Sequence, residues 1–233
     1  MPAPPSDWTD RLPRDRLIAE FSLWSADAGH LARDIARADP HADLWHVDIC
    51  DGHFAPQILL FADHVSLLAR LSARPVHVHL MTDPAILPAQ IDQFAEAGAA
   101  LISVHLEAGA EAVGAALDRI GKAGAKAGIV LTLNTPIPDI APWLERVAFV
   151  TLVGTPIGIK GVSPDETTYA RLREARALID RTAGPRPILA ADGGIREATV
   201  PLMRAAGADT VVMGSLAFAA PDLPARMRWL HGL

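Results

Sequence analysis

Short apolar runs recur along the chain and alternate with segments whose apolar residues have a helical period. The apolar runs are rich in Val, Ile and Leu and show little strict alternation with polar residues. Runs of this length and composition are typical of parallel β-strands that are buried on both faces. We therefore predict eight strands, at residues 16–24, 44–50, 75–81, 101–107, 127–133, 147–154, 186–192 and 210–216.

The segments between the apolar runs predict helices. Residues 30–38 place Leu31, Ile35 and Ala38 on one face, which indicates an amphipathic helix. Gly98 and Gly124 follow two further segments, and glycine suits the left-handed conformation in which many helices end. We predict helices at residues 30–38, 86–98, 112–124, 169–180, near 198–207 and in the tail from 221.

This alternation of strands and helices predicts an α/β protein with a single (β/α)₈ TIM barrel over residues 16–233. Residues 1–15 are rich in Pro, Asp and Arg and are predicted to be an irregular lead-in segment. An open doubly wound sheet is the competing architecture. Such a sheet normally carries a glycine-rich fingerprint after its first strand, and residues 21–29 do not contain one.

Length, composition and charge narrow the function classes. The chain has 233 residues, of which 50% are apolar, so it can bury a large core. Its 21 basic and 27 acidic residues give a net charge of −6, which argues against nucleic acid or an anionic membrane as a partner. Cys50 is the one cysteine, which excludes a disulfide framework and a cysteine-rich zinc site. We expect a cytoplasmic protein, because the sequence shows neither the apolar core of a signal peptide nor a bilayer-spanning run of about 18 apolar residues.

Polar residues at the carboxyl ends of the predicted strands are the candidates for chemistry, because a TIM barrel places its active site there. His46 and Asp48 share one face of the second strand, while His79 lies near the end of the third and Asp192 ends the seventh. Two imidazoles and two carboxylates suit one divalent Zn, Fe, Mn or Co ion. A lone strand histidine is more often a core residue, but a carboxylate at an inward strand end is costly to bury unless it is paired or bound to a metal.

Six motifs carry a resemblance to a known family. They are FSLWSAD at 21–27, HVDICDGHF at 46–54, VHLM at 78–81, VHLEA at 104–108, ADGGI at 191–195 and VMGSLAF at 212–218. This ordered set resembles the ribulose-phosphate 3-epimerase family from about residue 17 to the C-terminus. The resemblance implies a TIM barrel of the phosphate-binding ribulose-phosphate type.

The resemblance also implies roles for individual residues. The residues that match the family's metal ligands are His46, Asp48, His79 and Asp192, and Asp48 and Asp192 also match its two acid/base carboxylates. Lys160, which departs from the family pattern, is a further candidate for substrate binding. The residues that the resemblance implies bind substrate are Ser22, His79, Met81, Gly158, Gly193, Gly194, Gly214 and Ser215. The last four of these belong to the phosphate-binding turns after the seventh and eighth strands.

The implied reaction inverts a carbon next to a ketone. A proton leaves from one face and another returns to the opposite face, so two carboxylates are needed because one base cannot easily serve both faces. The second and seventh strands are three apart in an eight-stranded ring, which places Asp48 and Asp192 roughly across the pocket. The intermediate is an enediolate, and a divalent cation would stabilise its negative oxygens.

The chain departs from the family pattern in its loops. The loop after the sixth strand reads TPIGIKG at 155–161, where the family usually has Asn-Pro-Gly-Phe-Gly-Gly. Lys160 in this loop either contacts a phosphate as a point charge or lies in solvent. After the fifth strand, Thr132 and Leu133 replace the usual Asn-Pro pair.

Other departures concern the pocket walls. His77 stands where an acidic residue is common, and is either a core residue or a partner of a metal ligand. Cys50 and Val153 stand where methionines are common. We expect His105 and Glu107 to line the pocket floor, and Trp24 to lie near the substrate. These changes leave the chemistry intact and make the substrate uncertain.

The leading hypothesis is a metal-dependent 3-epimerase that converts D-ribulose 5-phosphate to D-xylulose 5-phosphate. The alternatives are a 3- or 4-epimerase of a tetrulose or hexulose phosphate, and a non-catalytic relative that binds sugar phosphates. A lyase or decarboxylase of a related barrel would carry a strand-end Asp-x-Lys, which the sequence lacks. The expected partner is a small-molecule ketose phosphate, with no nucleic acid and no membrane, and the resemblance suggests a homo-oligomer.

Overall fold

Eight parallel strands close into a barrel in the computed structural model, which describes Pro5 and residues 7–233. Each strand pairs with the next along the chain, and the eighth pairs with the first. With helices between the strands, this is the predicted TIM barrel. The strands are β1 (Ile18–Ser22), β2 (Leu44–Cys50), β3 (Val76–Met81), β4 (Leu101–His105), β5 (Lys126–Leu131), β6 (Phe149–Val153), β7 (Ile188–Asp192) and β8 (Thr210–Met213).

Helices surround the barrel. They are α1 (Leu31–Ala38), α2 (Ala62–Leu71), α3 (Leu87–Glu96), α4 (Ala110–Lys122), α5 (Thr168–Ile179), α6 (Val200–Ala205), α7 (Ser215–Phe218) and α8 (Leu223–His231). A 3₁₀ helix, Ile137–Arg146, occupies the connection between β5 and β6. Each helix in the described part of the chain is too short or too polar to cross a bilayer.

The predicted strands all exist, but several end earlier than expected. The run 16–24 turns after Ser22 into a 3₁₀ helix, Leu23–Ser25, and β8 stops at Met213. Gly98 and Gly124 have φ angles of +105° and +83°, which confirms their predicted place after helix ends. Helix α2 has no counterpart among the predicted segments.

Alternate residues of each strand point in opposite directions and so meet two environments. One set packs beneath the helices in a large apolar core that includes Phe21, Trp45 and Val78. The other set fills the barrel and is rich in polar side chains. The fully or nearly fully buried polar residues of the strands are Glu20, Ser22, His46, Asp48, His77, His79, Ser103, His105, Thr151 and Thr210. Because buried polar groups are costly without partners, this interior requires a hydrogen-bond network.

The amino end of the barrel is closed by apolar side chains. Within the described part of the predicted lead-in 1–15, a 3₁₀ helix, Trp8–Arg11, carries a buried tryptophan. Trp8 packs with Leu12, Ile18 and Phe149 across the strand starts, and its ring centroid lies 6.2 Å from that of Phe149. Residues 1–4 and Ser6 of that segment lie outside the described residues. The closed amino end leaves the carboxyl end as the open face of the barrel.

Candidate metal and acid–base site

Four side chains from three strands converge at the carboxyl end of the barrel. His46 and Asp48 extend from β2, His79 from β3 and Asp192 from the end of β7. Each offers one nitrogen or oxygen atom, and these four atoms all lie within 4.8 Å of one another. Asp48 Oδ1 is 3.1 Å from His46 Nε2 and 3.4 Å from His79 Nδ1, which is itself 3.6 Å from Asp192 Oδ2. The predicted ligand set is therefore brought together around one point.

The buried Nδ1 of His79 faces this point without a hydrogen-bond partner in the described residues. Its other ring nitrogen, Nε2, is 2.8 Å from Nε2 of His105. A buried nitrogen without a partner is costly, and a metal ion at the shared point would remove that cost. Two imidazole nitrogens and two carboxylate oxygens also form a donor set that fits a divalent Zn, Fe, Mn or Co ion.

The two carboxylates have opposite electrostatic environments. Burial opposes the ionisation of Asp48, but the charge of His46, the hydrogen bond from His46 and the charge of nearby His79 outweigh it and hold the pKa of Asp48 well below its ordinary value. Ser22 Oγ also donates a hydrogen bond to Asp48 Oδ2, at 2.8 Å. Burial, reinforced by the negative charge of Asp48, raises the pKa of Asp192 to about 6. A pair whose pKa values are pushed apart is suited to act as one base and one acid.

A cavity of about 460 Å³ opens above these four residues. It is lined by Asp48 and Asp192 and by every residue predicted to bind substrate, namely Ser22, His79, Met81, Gly158, Lys160, Gly193, Gly194, Gly214 and Ser215. His46 lies beneath the cavity, fully buried. A cavity of this size suits a small-molecule ligand.

The glycine turn after β7 can exist only without side chains. Gly193 and Gly194 have φ angles of +85° and +67°, which β-carbons disfavour. A Cβ on Gly193 would collide with Thr155, and one on Gly194 would collide with Pro164. Gly193 and Gly194 also line the cavity, so a ligand there can meet the backbone of this turn without an intervening side chain.

Lys160 crosses the mouth of the cavity. Its ammonium group donates a hydrogen bond of 2.5 Å to the carbonyl of Trp24 and lies 4.4 Å from the centroid of the Trp24 ring. Burial lowers the pKa of Lys160, and the charge of Asp48 opposes that shift. Trp24 itself lies in the 3₁₀ helix Leu23–Ser25, which follows β1 directly, and lines the cavity as expected.

His105 and Glu107 do not line this cavity, so the expectation that they form its floor is wrong. The ring of His105 stacks on that of His79, with centroids 5.0 Å apart. It contacts Nε2 of His79, the ring nitrogen opposite the one that faces Asp48 and Asp192. His105 Nδ1 in turn lies 3.0 Å from Glu107 Oε2. The other carboxylate oxygen of Glu107 accepts hydrogen bonds from Thr132 and Thr135.

Glu20 is the residue that the sequence analysis missed. It is fully buried in β1, two residues before Ser22, and its Oε1 lies 2.7 Å from His46 Nδ1 and 2.6 Å from His77 Nδ1. His77 therefore contacts a partner of the ligand His46. The available signal was a glutamate inside an apolar strand on the same face as Ser22. Arg196, just beyond the glycine turn, also lines the cavity and was not singled out.

Known proteins resemble this chain along most of its length. The model of the Ribulose-phosphate 3 epimerase family matches residues 18–218. Ribulose-phosphate 3-epimerase 1 of Cupriavidus necator is 36% identical over 205 residues, covering 86% of this chain and 84% of that protein. The Ribulose-phosphate 3-epimerase of Aquifex aeolicus is 35% identical over 192 residues, covering 82% and 85%. That of Escherichia coli K12 is 34% identical over 203 residues, covering 86% and 88%.

Solved structures with lower sequence identity share the fold. Orotidine 5'-phosphate decarboxylase from Pyrococcus horikoshii OT3 superposes with a TM-score of 0.64 at 15% identity, covering 92% of this chain and 97% of that chain. The tryptophan synthase A-subunit from Pyrococcus furiosus superposes with a TM-score of 0.67 at 19% identity, covering 95% and 100%. At these identities the likeness shows a common barrel and carries no statement about activity.

Proposed function

The chain belongs to the ribulose-phosphate 3-epimerase family, and from this premise we propose that it interconverts D-ribulose 5-phosphate and D-xylulose 5-phosphate by inverting C3. The family supports epimerase activity on a pentulose phosphate, so the protein is an isomerase. The exact ketose, the roles of single residues and the course of the reaction are the finer parts of the proposal.

The observation that carries the proposal is the pair of carboxylates in one cavity with pKa values pushed apart. In the proposed reaction, ionised Asp48 removes the C3 proton from one face of the ketose. Protonated Asp192 delivers a proton to the other face of the resulting enediolate, which restores the ketone. In the reverse direction the two carboxylates exchange roles. Ser22, which donates to Asp48 Oδ2, holds that carboxylate in place for the transfer.

The residues that would hold a divalent ion are His46, Asp48, His79 and Asp192. The unpartnered Nδ1 of His79 supports this assignment. When bound, the ion supplies positive charge for the substrate oxygens on which negative charge develops. Which metal is used is left to experiment, since the donor set suits several.

Substrate phosphate is proposed to lie against the turns Gly193–Gly194 and Gly214–Ser215. Backbone N–H groups bind phosphate well where side chains are absent, and both turns line the cavity. Lys160 adds a positive charge at the mouth of the same cavity. We assign it to the phosphate or a neighbouring hydroxyl, in exchange for its contact with the Trp24 carbonyl.

A tetrulose or hexulose phosphate is the second candidate substrate. The loop at 155–161 carries Lys160 across the mouth of the cavity onto Trp24, and so helps determine the length of ketose that fits. A purely binding role is disfavoured because both carboxylates face the cavity. Homo-oligomer formation and a cytoplasmic location remain predictions.

A substrate panel in D₂O tests the proposal. The metal-stripped protein is reloaded with Mn²⁺, Co²⁺, Zn²⁺ or Fe²⁺ and given tetrulose, pentulose and hexulose phosphates and the free sugars. NMR then follows deuterium at the epimerised carbon. We expect exchange and epimer formation to be fastest at C3 of D-ribulose 5-phosphate. A faster reaction with another phosphorylated ketose would make that ketose the substrate in place of D-ribulose 5-phosphate. If none of the sugars reacted, the proposed activity would be overturned.

A further inference from the structure

A fully buried carboxylate lies one layer below the candidate metal site. We infer that Glu20 is a positioning residue that holds His46 in the orientation and tautomer required of a metal ligand, and thereby sets the affinity of the site for its ion. The inference rests on the metal site of the proposed function. It concerns metal affinity, which can be measured without any substrate.

Glu20 is placed to control one specific nitrogen of His46. Its Oε1 lies 2.7 Å from His46 Nδ1, so that nitrogen carries the hydrogen and donates it. In the neutral ring the lone pair is then on Nε2, which lies 3.1 Å from Asp48 Oδ1 on the side of the candidate site. Without Glu20, the ring would be free to adopt the other tautomer, which presents an N–H to the metal instead of a lone pair.

His77 holds Glu20 in turn. The same oxygen, Oε1, lies 2.6 Å from His77 Nδ1, and the opposite ring nitrogen lies 2.6 Å from Ser103 Oγ. Thr210 Oγ1 lies 3.3 Å from Oε2 of Glu20, but its shorter hydrogen bond, of 3.0 Å, goes to the carbonyl of Ile18. A neutral His77 satisfies both of its contacts, since Nδ1 donates to the carboxylate and Nε2 accepts from the serine. The contacts among Glu20, His77 and Ser103 therefore fix the carboxylate of Glu20 beneath His46.

The deeper cluster of Glu20, His46 and His77 also brings potential ligand atoms together. Both Nδ1 atoms donate hydrogen bonds to one oxygen in this arrangement, so neither has a lone pair to offer a metal there. The cluster therefore acts as a support for the site above it and is not a second metal site.

The test compares Glu20→Gln, which keeps the size of the side chain and removes its charge, with the parent protein. Both are stripped of metal and titrated with Co²⁺, and the visible absorption of the bound ion reports affinity and coordination. We expect the dissociation constant to rise by about 10- to 100-fold, with an altered Co²⁺ spectrum. Thr210→Val is the matched control, because the Thr210 hydroxyl donates to the backbone carbonyl of Ile18 and contacts neither imidazole, and the Co²⁺ affinity of this variant should stay close to that of the parent.

Equal Co²⁺ affinity in Glu20→Gln and the parent would overturn the inference. A purely structural role would instead lower the thermal midpoint of the metal-free variant and leave its metal affinity unchanged. If Glu20→Gln does not fold, the Zn²⁺-loaded parent decides by NMR. We expect ring protons on Nδ1 of both His46 and His77, and a His46 without that proton would contradict the assignment. If no sugar in the substrate panel reacted, the proposed reaction would be overturned, but the measured metal affinities would still decide the role of Glu20.

Discussion

At the scale of single residues, the site depends on the different states of two aspartates. In the metal-free protein the raised pKa of Asp192, about 6 against an ordinary 3.8, means that the folded state favours the protonated form. Its contribution to stability is present below about pH 4 and is lost as the pH rises through about 6. At neutral pH the metal-free protein therefore carries an unfavourable negative charge beside Asp48.

This gives a prediction for Asp192→Asn, which is neutral at every pH. In chelator, we expect the variant to be more stable than the parent at pH 7.5, by roughly 1–3 kcal/mol, because it lacks that charge. Below about pH 4 the two should have similar stability. Urea unfolding across this pH range measures the difference. A variant that is less stable than the parent at pH 7.5 would show that the charge of Asp192 is not unfavourable there.

Lys160 gives a second prediction at this scale. Lys160→Met removes the positive charge at the mouth of the cavity, and we expect KM for the phosphorylated ketose to rise about tenfold with little change in kcat. KM for the free ketose should stay as in the parent. Lys122→Met, at the exposed end of α4, is the matched control. Steady-state kinetics measure these values. Equal KM values for Lys160→Met and the parent would show that Lys160 does not bind the substrate phosphate.

At the scale of strands and helices, small residues make room for the polar interior. Gly128 in β5 faces Ser103 of β4, and a Cβ at this position would collide with the serine hydroxyl and press closely against Phe149. Ser103 is the partner of His77 Nε2, so the absence of one side chain in β5 supports the hydrogen-bonded layer beneath the site. The packing of one strand is thereby linked to the orientation of a ligand on another.

We predict that Gly128→Ala destabilises the protein by roughly 1–3 kcal/mol, because the added methyl group overfills a packed interior. Gly121→Ala is its control. Gly121 lies in α4, where a methyl group would meet no atom of the described residues within 4 Å, and alanine there should stabilise the helix by up to about 1 kcal/mol. Thermal and urea unfolding measure both changes. A neutral effect of Gly128→Ala would mean that Ser103 can move without cost.

The strands could be predicted from sequence because β-branched runs mark buried parallel strands, and the bounds predicted for β2 are those observed. Helix α2 was not predicted, although Val65, Leu68 and Leu71 follow a helical spacing within it, and Val65 and Leu68 are its buried residues. Prolines in the segment 137–146 favour a 3₁₀ helix over the α-helix that a barrel would ordinarily carry there. Local sequence patterns therefore predicted the existence of the strands better than the residues at which they end.

The residues of the site also differ in how far the sequence could reveal their roles. His46, Asp48, His79 and Asp192 could be found because strand ends converge in a barrel. The position of Glu20 inside an apolar strand was a sequence signal, but its role could not be predicted, because that role depends on pairing with residues 26 and 57 positions away. A sequence shows that a glutamate stands in a strand, and the closed sheet shows what it contacts.

At the scale of the whole molecule, the barrel brings ligands from β2, β3 and β7 to one point, so metal binding and folding are coupled. An ion that binds the folded chain alone stabilises it by mass action. With Mn²⁺ or Co²⁺ in large excess over its dissociation constant, we expect the thermal midpoint to rise by about 5–10 °C above that in chelator. His46→Ala should show little of this shift. A thermal midpoint of the parent that does not change with Mn²⁺, Co²⁺, Zn²⁺ or Fe²⁺ would contradict the proposed metal site.

The most direct test of the account asks whether two carboxylates carry out the inversion. Asp48→Asn and Asp192→Asn are loaded with metal to the same occupancy as the parent, and NMR follows the interconversion of the two C3 epimers. We predict that the rate falls by about 10²- to 10⁴-fold in each variant, because each removes one of the two proton-transfer groups. Interconversion at the parental rate in either metal-loaded variant would contradict the account.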